Sequence, residues 1–229
     1  AANPNFPAQK IDVIYNTKSI TVKNTSVMFG ELYDKVQAEP EPKNINIPNY
    51  PSPDGSGANF FSSGRLPYVV DIEANIGGVK REISIIGLHA RANSGSDMSK
   101  YNMRKYDTKV LKDNLDANYP DASFIILGDF NDDVKKSVVG NNPSTYEIMV
   151  KDTDRYNALT LDISNAGVNS YYDFNPESFL DHIMISNELN SEYIANSTAV
   201  YDPRNDISNY INTTSDHGPV IARFELKRT

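Results

Sequence analysis

The stretch that most constrains this chain is Ser123 to Asp133, S-F-I-I-L-G-D-F-N-D-D. Phe124, Ile125, Ile126 and Leu127 form an unbroken apolar run that stops at Gly128, and Asp129, Asn131, Asp132 and Asp133 follow at once. A short apolar run bounded by a turn signal reads as a central strand covered on both faces. Gly128 turns the chain, and Asp129 and Asn131, with Phe130 between them, share one face at the strand end. A carboxylate and a carboxamide in that place suit binding a divalent cation, orienting a water, or donating a hydrogen bond to a charged oxygen. The same letters also spell an ordinary strand followed by an Asx-rich turn. The rest of the chain has to decide.

Composition narrows the choice. With 229 residues, 39% of them hydrophobic, the chain has enough apolar material for a real core. No linker divides it, so residues 1–229 read as a single domain. No apolar run approaches the roughly 20 residues that a membrane helix needs, and no stretch reads as a signal peptide. Cysteine is absent, which removes disulfides, zinc-thiolate sites and cysteine nucleophiles. A net charge of -8 argues against holding nucleic acid on a broad basic surface. A metal-dependent enzyme tolerates that charge, because its acids gather round a cation that supplies local positive potential. Fourteen Tyr with no Trp, among many Asn, Ser and Thr, resemble exported proteins, so the expected location is secreted, periplasmic or cell-surface.

Residues 1–10 carry two prolines and read as loop. Ile11–Tyr15 and Ser19–Val22 read as two strands of a hairpin about Asn16-Thr17-Lys18. Residues 39–64 hold Pro40, Pro42, Pro48, Pro51 and Pro53 with three glycines, and read as a long loose loop. Tyr68–Asn75 and Lys80–Leu88 form a hairpin across Gly77-Gly78, which leaves His89 at a strand end. Ser99–Asn118 reads as an amphipathic helix with Met103, Tyr106, Val110, Leu111 and Leu115 inward, capped from Ser96, Asp97 or Ser99 and stopped by Pro120. A helix joining the His89 strand to the Asp129 strand is a crossover, the mark of a layered α/β fold. Further on, Asn157–Ile163 reads as a short helix, and Phe179–Ile185 as a strand. Asp181 lies among apolar residues in that strand, and a buried carboxylate needs a partner. Ser197–Tyr201 and Pro219–Leu226 read as the last strands, with Asp216 and His217 just ahead of the second.

Four polar stations therefore stand at strand ends or within strands: His89, Asp129 with Asn131, Asp181, and Asp216 with His217. Two histidines, three aspartates and an asparagine suit phosphodiester hydrolysis, in which a cation offsets charge, a base activates water and an acid assists the leaving oxygen. In this order, I-G-L-H-A, I-L-G-D-F-N-D, F-L-D-H-I and T-S-D-H-G-P resemble the successive signatures of the endonuclease/exonuclease/phosphatase superfamily, whose best-known fold is DNase I-like. The likeness covers about residues 11–226 and implies a four-layered α/β sandwich, two packed sheets with helices outside.

The resemblance also implies roles. His89 becomes an acid or base beside the scissile phosphate, and Asp129 orients or deprotonates the attacking water. Asn131 stabilises the transition state or helps hold metal. Asp181 pairs with a histidine, Asp216 touches the metal, and His217 contacts phosphate oxygens. Arg65 and Arg91 would bind phosphate. The implied cofactor is Mg²⁺, or Mn²⁺ or Ca²⁺, and the implied partner is nucleic acid or another phosphoester. An endonuclease on DNA or RNA is the leading expectation. A phosphomonoesterase or phospholipid phosphodiesterase, and a non-catalytic binding module, are the alternatives. Members of the family begin with a strand ending in Asn and, some tens of residues later, one ending in a metal-binding Glu. Neither station is found, and Glu31 in F-G-E-L-Y has no matching context. The expectation is thus a C-terminal portion of a larger nuclease-like protein, lacking an N-terminal segment of the same fold and tending to self-associate.

Overall fold

The computed structural model describes residues 10–39, 47–93 and 96–228. The chain enters along Ile11 and Val13, half-buried against the sheet, and turns at residues 17–19 into β1 (Ile20–Val27). The expected hairpin of Ile11–Tyr15 with Ser19–Val22 does not form. Strand β1 instead pairs antiparallel with β2 (Tyr68–Ile76), from Ile20 opposite Ala74 to Val27 opposite Tyr68. That long edge satisfies more backbone groups than a short local hairpin would, so the distant partner prevails.

A nine-residue helix, α1 (Gly30–Ala38), follows. The region beyond it also departs from expectation. Ile47, Tyr50, Phe60 and Phe61 are buried, and the rings of Phe29, Tyr50, Phe60, Phe61 and Tyr106 pack edge-to-face or stacked on one another. Residues 47–64 hold no strand and only two short helical turns, Gly57–Asn59 and Phe60–Gly64, but their aromatic anchors make them part of the core and not a loose insertion. Pro40 and Pro42 lie outside the described residues.

The hairpin of β2 with β3 (Val79–His89) is as expected, in register from Tyr68↔Gly87 to Ile76↔Val79. Helix α2 (Met98–Asn118) starts on Asp97, whose side chain accepts from the Ser99 amide. Its inner face differs from the expected one. Tyr106 and Val110 are only half-buried, whereas Arg104 and Asp107 are buried with Tyr101, Met103, Thr108, Leu111 and Leu115. A crossover through α2 then delivers β4 (Phe124–Asp129) parallel to β3. Phe124 and Ile126 are buried, but Ile125 is half-buried and Leu127 is 37% exposed, so β4 is fully covered on one face only.

In place of the expected helix at 157–163 the chain forms β5 (Tyr156–Ala158) and a helical turn at Leu161–Asn165. Tyr156 is drawn into the sheet by pairing opposite Ser186 of β6 (Asp181–Ser186). Strands β7 (Ala199–Val200) and β8 (Val220–Ile221) are shorter than expected and pair with each other. The large sheet runs β1-β2-β3-β4-β6-β5. One core lies between this sheet and the helices, around Val36, Phe60, Ile86, Leu111, Leu115, Phe124 and Met184. The other lies on the opposite face, around Val70, Ile72, Ile83, Ile183 and Ile185, with Val220 and Phe224 packed on it. Each fully buried aliphatic side chain contributes about 1.5–3 kcal/mol. Among the described residues the second sheet has two strands, and no helix is long and apolar enough to cross a membrane.

Candidate active site

Three neighbouring strands of the large sheet end level with one another. His89 of β3 stands opposite Asp129 of β4, and Asp129 stands opposite Asp181 of β6. Adjacent strands lie about 4.8 Å apart, so register alone sets an imidazole and two carboxylates in a row. Gly128 makes this possible. Its φ is 131°, and a Cβ there would collide with the Leu88 carbonyl, so only glycine lets β4 close on β3 one residue before Asp129.

Asp129 is held by the residue two further on. Its Oδ1 accepts from the Asn131 amide and its Oδ2 from Asn131 Nδ2, both at 2.8 Å. Asn131 takes a left-handed φ of 51° to make this turn, a conformation asparagine tolerates well. The second Nδ2 hydrogen goes to the Ala90 carbonyl at 3.0 Å. Both amide hydrogens are thus engaged, so here Asn131 orients Asp129 and does not donate into the site. Burial, reinforced by the charge of Asp181, pushes the Asp129 carboxyl up to about 6.

Asp181 has the histidine partner its apolar setting called for. His217 Nδ1 lies 2.6 Å from Asp181 Oδ2, and the Ser170 hydroxyl donates to the same oxygen at 2.6 Å. Ser170 in turn accepts from the amides of Leu180 and Asp181. Burial works against a charged His217, but the bond to Asp181 and the charges of Asp181, Asp129 and Asp216 outweigh it and raise the ring's pKa. With Nδ1–H given to Asp181, Nε2 faces away from that carboxylate. Gly218 is needed behind it, because a Cβ there would meet the Tyr172 hydroxyl and the Tyr201 carbonyl. Tyr171 flanks the ring, centroid to centroid 4.9 Å, and pairs with His217 through its backbone.

His89 has different company. Arg65 Nη1 approaches its Nε2 to 2.6 Å, while Arg65 Nη2 donates to Ser62 Oγ at 2.6 Å and to the Ala90 carbonyl at 3.1 Å. A guanidinium only donates, so His89 Nε2 is the acceptor and the ring is neutral. Burial, with the charges of Arg65 and His217, lowers its pKa to about 4. The nearest Asp129 oxygen is 3.4 Å away.

Of the eight candidate residues, the structure gathers Arg65, His89, Asp129, Asn131, Asp181, Asp216 and His217 into one neighbourhood. Arg91 is not among them: its Nη2 donates to the Asn59 carbonyl beneath the adjoining loop. Asp216 lies beside His217, Oδ1 to Nε2 4.0 Å, and its side chain is 45% exposed. Among the described residues no three His, Cys, Asp or Glu side chains converge as a metal cage. A single exposed carboxylate suits only a loosely held Mg²⁺ that keeps waters and takes its other oxygens from substrate phosphate. Ser170, Ser62 and Tyr171 were not legible from the sequence, since nothing in N-S-Y-Y or F-S-S-G announces which strand end they face.

No family model matches the chain, and no curated protein matches its sequence. Solved structures do match. A functionally unknown conserved protein from Enterococcus faecalis superposes with a TM-score of 0.55 at 13% identity, over 93% of this chain and 69% of that one. The endonuclease/exonuclease/phosphatase from Bacteroides vulgatus superposes with a TM-score of 0.53 at 10% identity, over 93% and 69%. The fold is that of the endonuclease/exonuclease/phosphatase proteins. D. rerio TDP2 complexed with single strand DNA product shares it as well, with a TM-score of 0.51 at 12% identity, over 91% and 69%. The chain thus spans a little over two thirds of each of these structures.

Proposed function

We propose that this protein is a phosphodiester hydrolase assisted by a divalent cation, and that its substrate is a nucleic acid strand, DNA or RNA. One observation carries the reading: in-register strand ends place Asp129 between neutral His89 and the Asp181–His217 pair. Asp129, raised to about 6, remains mostly ionised at neutral pH and is the base that takes a proton from water. Asn131 fixes both of its oxygens. As the water oxygen bonds to phosphorus, the ester P–O bond breaks with its electron pair going to the leaving oxygen, which takes a proton from solvent, and negative charge on the phosphoryl oxygens meets the His217 imidazolium, oriented by Asp181. Arg65 adds a second cation, and His89 steers that guanidinium as its acceptor. Mg²⁺ is the cation of this reading, with Asp216 as its protein carboxylate; when bound it offsets phosphate charge. A binding module on this scaffold has no need of an orienting pair around an ionised carboxylate. The single-strand DNA product in the TDP2 structure favours a nucleic acid strand over a lipid head group.

The test is cleavage of single- and double-stranded DNA, RNA, a phosphomonoester and a phospholipid, with and without Mg²⁺, beside Asp129→Asn. Nucleic acid cleavage lost in the variant supports the reading. Release of phosphate from the monoester alone, or no turnover of any substrate, overturns it.

A further inference from the structure

Arg65 is carried by a turn that L-residues seldom make. Phe61, Ser62 and Ser63 have φ of 41°, 54° and 65°, Gly64 follows at 95°, and the Arg65 amide closes the turn on the Phe61 carbonyl at 2.7 Å. Left-handed backbone is unfavourable for every residue but glycine, so three such residues in succession persist only where their surroundings over-determine them.

What lies beneath is a buried cluster of charges that the proposed chemistry does not use. Asp107 of α2 is 4% exposed. The Tyr50 hydroxyl reaches both its Oδ2, at 3.4 Å, and the Asn59 carbonyl, at 3.0 Å. Arg91 donates to the same Asn59 carbonyl, and Arg104 Nη1 donates to the Arg91 carbonyl at 2.8 Å. Asp107 Oδ1 and Arg91 Nε are buried without a hydrogen-bond partner among the described residues. A buried, under-satisfied carboxylate in a core position, where an apolar residue would pack without that cost, calls for a reason.

We infer that Asp107 is a positioning residue: through Tyr50 and the Asn59–Phe61 segment it holds the left-handed turn that keeps Arg65 against His89. Only the activity arm of its test rests on the hydrolase reading. Burial pushes the Asp107 carboxyl up to about 8, against the Phe61 amide, Arg91, the Tyr50 hydroxyl and Arg104, while Tyr106 and Tyr146 also feel its charge. Protonated or not, it keeps an acceptor oxygen for Tyr50. Asparagine keeps that acceptor as well, and leucine does not.

The experiment compares Asp107→Leu, Asp107→Asn and Tyr50→Phe in the full chain, reading amide hydrogen exchange at Arg65 against Ile86 of β3. The expected result is protection at Arg65 falling about tenfold more than at Ile86 in Asp107→Leu, largely restored in Asp107→Asn, and falling less in Tyr50→Phe. Turnover should drop about tenfold in Asp107→Leu, and adding it to Arg65→Ala should cost little more, because the two act as one unit. Equal loss of protection at both amides would show a merely structural role and overturn the inference, as would additive losses of turnover. If Asp107→Leu does not fold, Tyr50→Phe decides by the same two amides. If the wild-type chain cleaves nothing, the functional reading falls, and the exchange comparison still settles this one.

Discussion

The two histidines of the site flank the paired strand ends of Asp129 and Asp181, both half-buried beside a carboxylate, yet they are driven apart. His217 meets Asp181 head-on at 2.6 Å and has its pKa raised; His89 meets Arg65 at 2.6 Å and is lowered to about 4. Burial penalises the charged form of both rings. What separates them is the sign of the one group in direct hydrogen-bond contact, while the carboxylate at 3.4 Å from His89 is too weak to reverse the outcome. One half of the site is therefore a ring that its carboxylate holds toward the charged form, and the other is a neutral ring that accepts from an arginine. Identical residue types, one at a strand end and one in the loop before β8, have become different chemical species.

The sharpest way to break the comparison is to remove the carboxylate that both halves share. Asp129→Asn keeps the shape and removes the base, so turnover should fall by about 10²–10⁴, the usual worth of general base catalysis. Circular dichroism and thermal unfolding should stay close to wild type. A variant that still cleaves at a tenth of the normal rate would remove Asp129 from the chemistry.

Next in size is Asp181→Asn, which removes the charge that makes His217 a cation. Its pKa should then drop below 6.5, because burial remains and its main opponent is gone. Turnover near neutral pH should fall about 10²-fold, with no recovery toward acid pH, because Asp129, raised to about 6, takes up a proton over the range in which the ring regains its own. Imidazole NMR titration checks the first claim and a pH–rate profile the second. An unchanged His217 titration would mean that Asp181 does not set its charge.

How much of this was readable beforehand depended on whether a signal was local. The β2–β3 hairpin, the α2 crossover and the β4 run were legible because periodicity, Gly77-Gly78 and the Asp97 cap act over a few residues. So was the need of Asp181 for a partner, since a carboxylate amid apolar residues is a local anomaly. The pairing of β1 with β2 was not, because Ile11–Tyr15 presents an equally good local pattern and the choice is made by an edge some fifty residues away. Nor was the fate of Asn131: its letters fit a donor to substrate, and only the positions of Ala90 and Asp129 show that its amide hydrogens are engaged. The second inner face of α2 was missed for a related reason. Arg104 and Asp107 look like solvent-facing charges until Tyr50 and Arg91, from distant segments, are seen to cover them.

Removing the group that sets the other half apart is a milder change. Arg65→Gln leaves the bulk but not the charge, so the His89 pKa should rise from about 4 toward the ordinary 6.5, held short of it by burial and His217. Turnover should fall about tenfold through loss of one phosphate-facing cation. NMR titration of the three imidazoles distinguishes the sites, because His182 is enclosed by Phe130 and Phe179 with both nitrogens bonded within the core. A His89 that still titrates near 4 would assign its depression to burial and His217, and not to Arg65.

The smallest effect is on stability, and the two halves should leave opposite marks on it. His89 is lowered in the folded state, so between pH 6.5 and about 4 the unfolded chain binds the extra proton, and stability is lost as pH falls through that window. His217 is raised, so its contribution is fully present below pH 6.5 and is lost as pH rises through its folded value. Both rings are partly exposed, which screens the contributions to about 1–3 kcal/mol for His89 and less for His217. Urea unfolding from pH 4 to 8 should therefore show His89→Gln gaining stability relative to wild type at pH 4 and not at pH 7. His217→Gln should lose stability relative to wild type at pH 6 and recover part of it by pH 8. If both variants shift the curve in the same direction at every pH, the two rings are not in opposite charge states, and the division of labour drawn from Arg65 and Asp181 is wrong.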